Sequence, residues 1–301
     1  MLAPVVLFVY NRLDHTIDVI ESLAKNGLAK DTDLYIFSDA AKSEKGLEKV
    51  NEVRRYIGKE DWKKFFRSVT IELAEQNKGL AKSVIDGVSG IVEKYGRVIV
   101  VEDDLILSPH FLRYMNEALE YYKNDSQIWS ISGYSFPMKS LRKYPHEVFY
   151  SYRGCSWGWA TWKNRWETVD WQVTDYANFK DDEEWKARFN RGGMDLSGML
   201  KMQMEGSIDS WAIRWCFAQS NQEMYTVYPV NSYLKNAGCD GSGTHSGSNN
   251  DFYTDINAAA AECKFEKLEI QDKITKEFRR KYKDTLKKKI RRNLKKLIKI
   301  Q

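Results

Sequence analysis

The stretch Arg97–Ser108 (RVIVVEDDLILS) constrains the chain more than any other. Arg97 to Val101 is a short β-branched apolar run preceded by Gly96. That pattern predicts a strand buried on both faces, at the centre of a mostly parallel sheet. The run ends in three successive carboxylates, Glu102, Asp103 and Asp104. Ligands of open α/β sheets bind beyond the carboxyl ends of the strands. Three acids there repel one another unless a positive charge sits among them. A hard divalent cation, held by one or two carboxylates and by substrate phosphates, meets that need. The plainer alternative is a solvated acidic turn that caps a helix beginning near Pro109.

The segment before the acids alternates strand and helix. Pro4–Tyr10 (PVVLFVY) is a second candidate buried strand, followed by Asn11-Arg12 and an amphipathic helix over about Asp14–Lys25. Leu34–Ser38 is the next strand and leads into Asp39. A charged, helix-like stretch covers about Ser43–Phe66, Val69–Leu73 is a short strand, and Asn77-Lys78-Gly79 opens a helix running to about Tyr95. This is an α/β pattern with right-handed crossovers, and it fills residues 1–108. If the strands are parallel, Asn11-Arg12, Ser38-Asp39 and Glu102-Asp103-Asp104 share one edge. Such an edge suits a nucleotide, because Asp accepts from a base or ribose, Arg meets phosphate and a metal bridges a diphosphate. No GxGxxG follows the first strand and no GxxxxGK[ST] occurs, which argues against a dinucleotide fold or a P-loop NTPase.

Residues 109–271 read as a second half of the same domain. Pro109–Tyr122 predicts a helix, and Ile128–Tyr134 and Val148–Tyr152 predict strands. Trp157, Trp159 and Trp162 follow, separated by small residues. Gly158-Trp159 is open to two readings: backbone and ring facing a sugar, or a tight core turn. Asp181–Arg191 is a charged helix candidate. Asp209-Ser210-Trp211 begins another helix, with Asp209 as N-cap or as a free acid. Tyr225–Pro229 looks like a strand. Residues 236–250 are rich in Gly, Ser and Asn; His245 is their one imidazole, a loop residue or a ligand.

Composition narrows the class. The chain has 301 residues, 43% hydrophobic, enough for a large core in one domain or two fused lobes. No run of 18 apolar residues occurs, so no membrane-crossing helix is expected. The N-terminus enters a strand without a basic n-region, and the four Cys form no CxxC pair; reduced thiols in the cytoplasm are the expectation. Residues 272–301 hold 14 of the 47 Lys/Arg and three of the 42 Asp/Glu, a net +11, which leaves the remainder at −6. A mildly acidic body argues against nucleic acid as a partner. In the tail, Leu286, Ile290, Leu294, Leu297 and Ile298 fall on one side of a helix, a basic amphipathic pattern that lies on an anionic membrane surface. This predicts a peripheral protein on the inner face of the cell membrane.

Together, Asn11-Arg12, Ser38-Asp39, Asn77/Gly79, Glu102-Asp103-Asp104, Gly158-Trp159, Asp209-x-Trp211 and His245 resemble the nucleotide-sugar glycosyltransferases of the GT-A fold. Within that fold they look most like the N-acetylglucosaminyltransferase I family and its bacterial relatives, over roughly residues 4–250. The resemblance implies a Rossmann-like, mostly parallel sheet flanked by helices. It also implies a UDP-linked donor, Mn²⁺ or Mg²⁺, and inverting transfer to a hydroxyl of a glycan or lipid-linked saccharide. Asn11, Arg12, Asp39, Asn77 and Gly79 would lie on the nucleotide, Glu102 and Asp103 on ribose or donor sugar, Trp159 on the sugar, and Asp104 and His245 on the metal. Asp209 would be the catalytic base. The family has two adjacent acids before the Trp, whereas this chain has Asp209 followed by Ser210, so Asp170, Glu205 and Asp240 stand as other candidates. A non-catalytic carbohydrate-binding or scaffold protein, or a nucleotidyltransferase, on the same fold is the competing reading.

Overall fold

The structure is a computed structural model and describes residues 1–238, 252–256 and 261–282. In the N-terminal half, strand and helix alternate as the sequence predicts. The order is β1 (Val5–Val9), α1 (Leu13–Ala24), β2 (Asp33–Ser38), α2 (Glu44–Ile57), β3 (Ser68–Leu73), α3 (Leu80–Tyr95) and β4 (Arg97–Glu102). The single charged helix expected over residues 43–66 ends at Ile57, and a separate 3₁₀ turn covers Glu60–Lys64. Gly96 explains the sharp passage from α3 to β4. It holds the left-handed conformation, φ 73°, while its N–H bonds Val92 O at 2.8 Å, an arrangement that glycine adopts without steric cost.

The C-terminal half adds β5 (Leu105–Leu107), α4 (Phe111–Tyr122), β6 (Ile128–Ser132), β7 (Val148–Ser151) and β8 (Trp159–Trp162). The short helices α5 (Lys163–Trp166), α6 (Tyr176–Phe179), α7 (Glu183–Phe189) and α8 (Leu196–Met204) follow. After them come α9 (Trp211–Asn221), β9 (Tyr225–Pro229), β10 (Leu234–Asn236) and α10 (Asp272–Lys281). The main sheet has the order β3-β2-β1-β4-β8-β6-β9-β7. β1 to β4 are mutually parallel, whereas β8 runs antiparallel to β4 and to β6, and β7 antiparallel to β9. β5 and β10 form a separate antiparallel ribbon.

β4 lies mid-sheet and is buried on both faces, which is why its sequence is continuously apolar. Ile99 and Val101 pack with α1 and α4 on one side; Val98 and Val100 pack with α3 and α9 on the other. The second face holds five tryptophans, Trp129, Trp159, Trp166, Trp211 and Trp215. Half of the chain's ten tryptophans are therefore core residues of this one face.

Gly158-Trp159 resolves in favour of packing. Trp159 is the first residue of β8 and has no exposed surface, and its ring stacks on Trp166 and Trp211 with centroids 5.7 and 5.0 Å away. This ring is not a wall for a sugar, because both its faces already lie against protein. Gly158 has φ 54°, and a Cβ there would run into Leu234 Cδ2 and approach Phe111. The close approach that its small size permits is to the protein's own β10, not to a ligand.

α10 accounts for the first part of the basic tail. Ile274 and Phe278 are buried, and Phe278 packs on Phe136, Phe149 and Tyr228. Glu277 accepts from the N–H groups of Lys139 and Ser140, both at 2.7 Å. The apolar side of α10 is thus spent on the body. The apolar stripe at Leu286, Ile290, Leu294, Leu297 and Ile298 lies outside the described residues.

Two glycine substitutions test this packing in opposite directions. Gly158→Ala is expected to destabilise by about 2–4 kcal/mol, from overpacking plus a left-handed alanine. Gly90→Ala, on the exposed side of α3 with nothing near its Cβ, is expected to stabilise by up to about 1 kcal/mol. Urea unfolding of both variants measures this; a neutral Gly158→Ala would show that Gly158 does not lie against Leu234.

Candidate active site

Register brings the sequence-predicted residues to one edge. β1 pairs β4 with Phe8 opposite Glu102, β1 pairs β2 with Val9 opposite Ser38, and β2 pairs β3 with Ser38 opposite Leu73. The segments that leave these four strands therefore emerge side by side. In spatial order they carry the three acids, Asn11-Arg12, Asp39, and the turn leading to Asn77 and Gly79.

The positive charge that the acids require is Arg12. From the N-cap of α1 its guanidinium forks onto Asp103, with Nη2 on Oδ1 and Nε 3.4 Å from Oδ2, and Nη2 also reaches Asp104 Oδ2 at 3.1 Å. Its third nitrogen, Nη1, is buried and has no hydrogen-bond partner. Burial opposes the Arg12 charge, but Asp103 and Asp104 outweigh it and raise its pKa further. Burial pushes the Asp103 carboxyl up, and Arg12 offsets only part of that. Glu102 is pushed well above the usual carboxylate range by burial, then by its neighbours Asp104 and Asp103. The acids are no solvated capping turn: the residues after them form β5, and α4 starts only at Phe111.

Asp104 is fixed from the other side by β10. Ala237 N–H donates to Asp104 O at 2.7 Å, and Asn236 Nδ2 lies 3.5 Å from Oδ1. Gly238 packs so closely that a Cβ would meet the Asp104 carboxylate. Sequence reasoning missed β5 and β10, each only three residues long. His245 lies outside the described residues.

Asp39, Asn77 and Gly79 come together in one cluster. Asp39 Oδ1 accepts from the N–H groups of Ala40 and Lys78, both at 2.9 Å. Its Oδ2 accepts from Asn77 Nδ2 at 3.0 Å and Gly79 N–H at 2.9 Å. A carboxylate accepts about four such bonds, so the Asp39 oxygens are engaged in building the turn that opens α3. Arg54 of α2, which sequence alone did not single out, bonds Ala74 O at 2.7 Å and Ser38 O and Asp39 O at 3.4 Å. It thereby ties the ends of β2 and β3 together.

Asp209 is not the cap of α9. Ser210 caps it, with Oγ accepting from Ile213 N–H at 3.4 Å. Asp209 keeps an exposed carboxylate, paired at 3.2 Å with Arg214 Nη2. Trp211 stacks on Trp159, which pairs with Val100 of β4. The start of α9 is thereby packed beside the strand that carries the acids. Of the other candidate bases, Asp170 is committed to its own turn, accepting from Gln172 and Thr174; Glu205 pairs with Lys201, and Asp240 lies outside the described residues.

The sequence model of the GNT-I family matches residues 90–170, a stretch that contains the acids and Gly158-Trp159. Over these residues the chain resembles the GNT-I family. No curated protein matches it. Among solved structures, it is similar to the mannosyltransferase PcManGT from Pyrobaculum calidifontis in complex with GDP-Man and Mn²⁺, at 11% identity and a TM-score of 0.37, covering 54% of this chain and 44% of that one. It is also similar to S. aureus TarS 1-349, at 11% identity and a TM-score of 0.43, covering 78% of this chain and 60% of that one. The chain thus spans less than two thirds of either structure.

A divalent cation fits this site in one way. Among the described residues, no group of three His, Cys, Asp or Glu side chains is gathered to hold a metal. A cation on Asp104 would therefore draw its other ligands from a bound diphosphate or from water, as Mg²⁺ and its relatives commonly do. The buried, unpartnered Nη1 of Arg12 beside it suits the same anion.

Asp39→Ala tests the construction of the edge. It leaves the N–H groups of Lys78 and Gly79 to water, so the fold should lose about 0.5–1.5 kcal/mol. Hydrogen exchange should show those two amides deprotected. Wild-type protection of both in the variant would mean that Asp39 does not hold the turn.

Proposed function

We propose that the protein is a nucleotide-sugar glycosyltransferase that moves a sugar from a UDP-linked donor to a hydroxyl of a glycan or lipid-linked saccharide, with inversion. The observation that carries this reading is the strand-end triplet Glu102-Asp103-Asp104, whose two Asp side chains are bound to Arg12 and which lies inside the stretch that matches the GNT-I family. Asn11, Arg12 and the turn built by Asp39, Asn77 and Gly79 receive the nucleotide. Glu102 and Asp103 face ribose or donor sugar. Asp104, and by resemblance His245, would hold Mn²⁺ or Mg²⁺, which would supply charge neutralisation for a departing diphosphate.

The protein's own part is to place and deprotonate the acceptor. The acceptor oxygen attacks C1 from the face opposite the diphosphate. Its proton passes to a carboxylate, and the C1–O bond breaks with its electron pair staying on the diphosphate. Asp209 supplies that carboxylate in this reading. Its exposure and its freedom from capping support the role, and Arg214 holds it in place.

The basic tail brings the enzyme to an anionic membrane on the cytoplasmic side. Lys273, Lys276, Arg279 and Arg280 point outward from α10, and the sequence beyond continues the same charge.

Three measurements test the reading. A screen of nucleotide sugars should find one donor hydrolysed in the presence of Mn²⁺ and spared in excess chelator; no hydrolysis of any donor would leave the fold without this activity. Asp209→Asn should lower transfer by about 10²–10⁴-fold while nucleotide binding stays near normal; transfer within a few-fold of wild type would move the base elsewhere. The full chain should sediment with anionic liposomes at low salt and not at high salt. A chain ending at Tyr282, which keeps the α10 packing, should bind them far less; equal partitioning would rule the tail out as the anchor.

A further inference from the structure

Arg12 stands where a cation on Asp104 would have to act. Its Nη2 is 3.1 Å from Asp104 Oδ2, close enough that the guanidinium offsets part of that carboxylate's charge while its main contact is with Asp103. A divalent ion arriving alone meets an acid with one oxygen already engaged and a positive group beside it. Two unit charges about 4 Å apart interact by roughly 4 kcal/mol at an effective dielectric of 20, so the guanidinium takes away much of the attraction that the acids would offer a cation. Asp104 has little freedom to turn away, because Ala237 holds its carbonyl and Gly238 is packed on its carboxylate.

The same guanidinium has an unused side. Nε and Nη2 are engaged with the acids, while Nη1 is buried without a partner. An arginine offers five N–H donors in a planar fork suited to phosphate. Nη1 is closed to solvent in the free protein, so a diphosphate entering beside β4 takes its donors as the guanidinium turns toward it. It can then draw Nη2 off Asp104, while the Asp103 contact through Nε remains as the hinge.

We propose that Arg12 is a gate that makes cation binding at Asp104 conditional on the diphosphate: the guanidinium blocks Asp104 in the free protein and moves onto the diphosphate when it binds. This rests on the reading of Asp104 as the metal-binding acid given above, and adds the order of events and the residue that imposes it. Arg12 is a positioning residue in this scheme, since it acts on the cation through Asp104. The coupling is reciprocal by thermodynamic necessity: whatever factor the diphosphate adds to cation affinity, the cation adds to diphosphate affinity.

Binding of Mn²⁺ to the full chain, followed by the electron paramagnetic resonance of free Mn²⁺, tests this without any turnover. In the wild type, Mn²⁺ should bind at least tenfold more tightly with uridine diphosphate than without it; equal affinity in the two conditions overturns the gate. Arg12→Gln should bind Mn²⁺ alone at least tenfold more tightly than wild type, bind uridine diphosphate alone more weakly, and lose most of the coupling. If circular dichroism shows that Arg12→Gln does not fold, Arg12→Lys serves instead. Its single ammonium cannot fork across both acids, and Mn²⁺ alone should bind several-fold more tightly. A folded variant with unchanged or weaker affinity for Mn²⁺ alone overturns the proposal. Asp104→Asn separates the two ideas. If it leaves Mn²⁺ binding with uridine diphosphate intact, the metal reading of Asp104 fails; if it abolishes that binding while the Arg12 variants behave as wild type, only the gate fails.

Discussion

The contact between Arg12 and the acids after β4 is the constraint on which the rest of the edge depends. Three carboxylates in succession at the mouth of a buried strand are unfavourable unless compensated, and burial raises that cost. The compensation comes from a residue 91 positions earlier in sequence than Asp103. It reaches the acids only because β1 lies directly beside β4 with Phe8 opposite Glu102. Sheet order and site electrostatics are therefore one arrangement, and a different neighbour for β4 would leave the triplet uncompensated.

Much of the N-terminal half was legible in the sequence because its physics is local. The apolar run of β4 signals a strand covered on both faces, and Gly96 marks the turn into it. The residues expected at one edge are there: Arg12 with Asp103 and Asp104, and Asp39 with Asn77 and Gly79. The charge logic also carried over in part. A positive group was required among the acids, and within the chain Arg12 supplies it; sequence had offered Arg12 only as a phosphate contact.

The second half was harder to read, for physical reasons. β5, β8 and β10 have three or four residues each and are strands only because a partner lies alongside, a condition that no window of sequence contains. Gly158-Trp159 looked like a binding turn because small residues beside large rings suit either a ligand or a core. The pairing of β8 with β4, invisible in the sequence, decides for the core. Arg54 gave no signal because it bonds backbone carbonyls, which every residue has. At Asp209 a one-residue ambiguity in the helix start separated a cap from a free acid, and helix ends are where sequence patterns are least sharp.

The β5–β10 ribbon has a consequence for how the molecule is made. The backbone of Asp104 is pinned by Ala237, and its side chain is approached by Asn236, 132 residues away in sequence. A chain emerging from the ribosome can pair β1 to β4 as soon as those strands are out. It cannot set the acid in place until β10 has been synthesised and docked. Contacts of such long sequence separation are slow to form. The reactive edge is thus among the last parts to mature, and a chain cut short before β10 would hold a largely native sheet with an unfinished mouth.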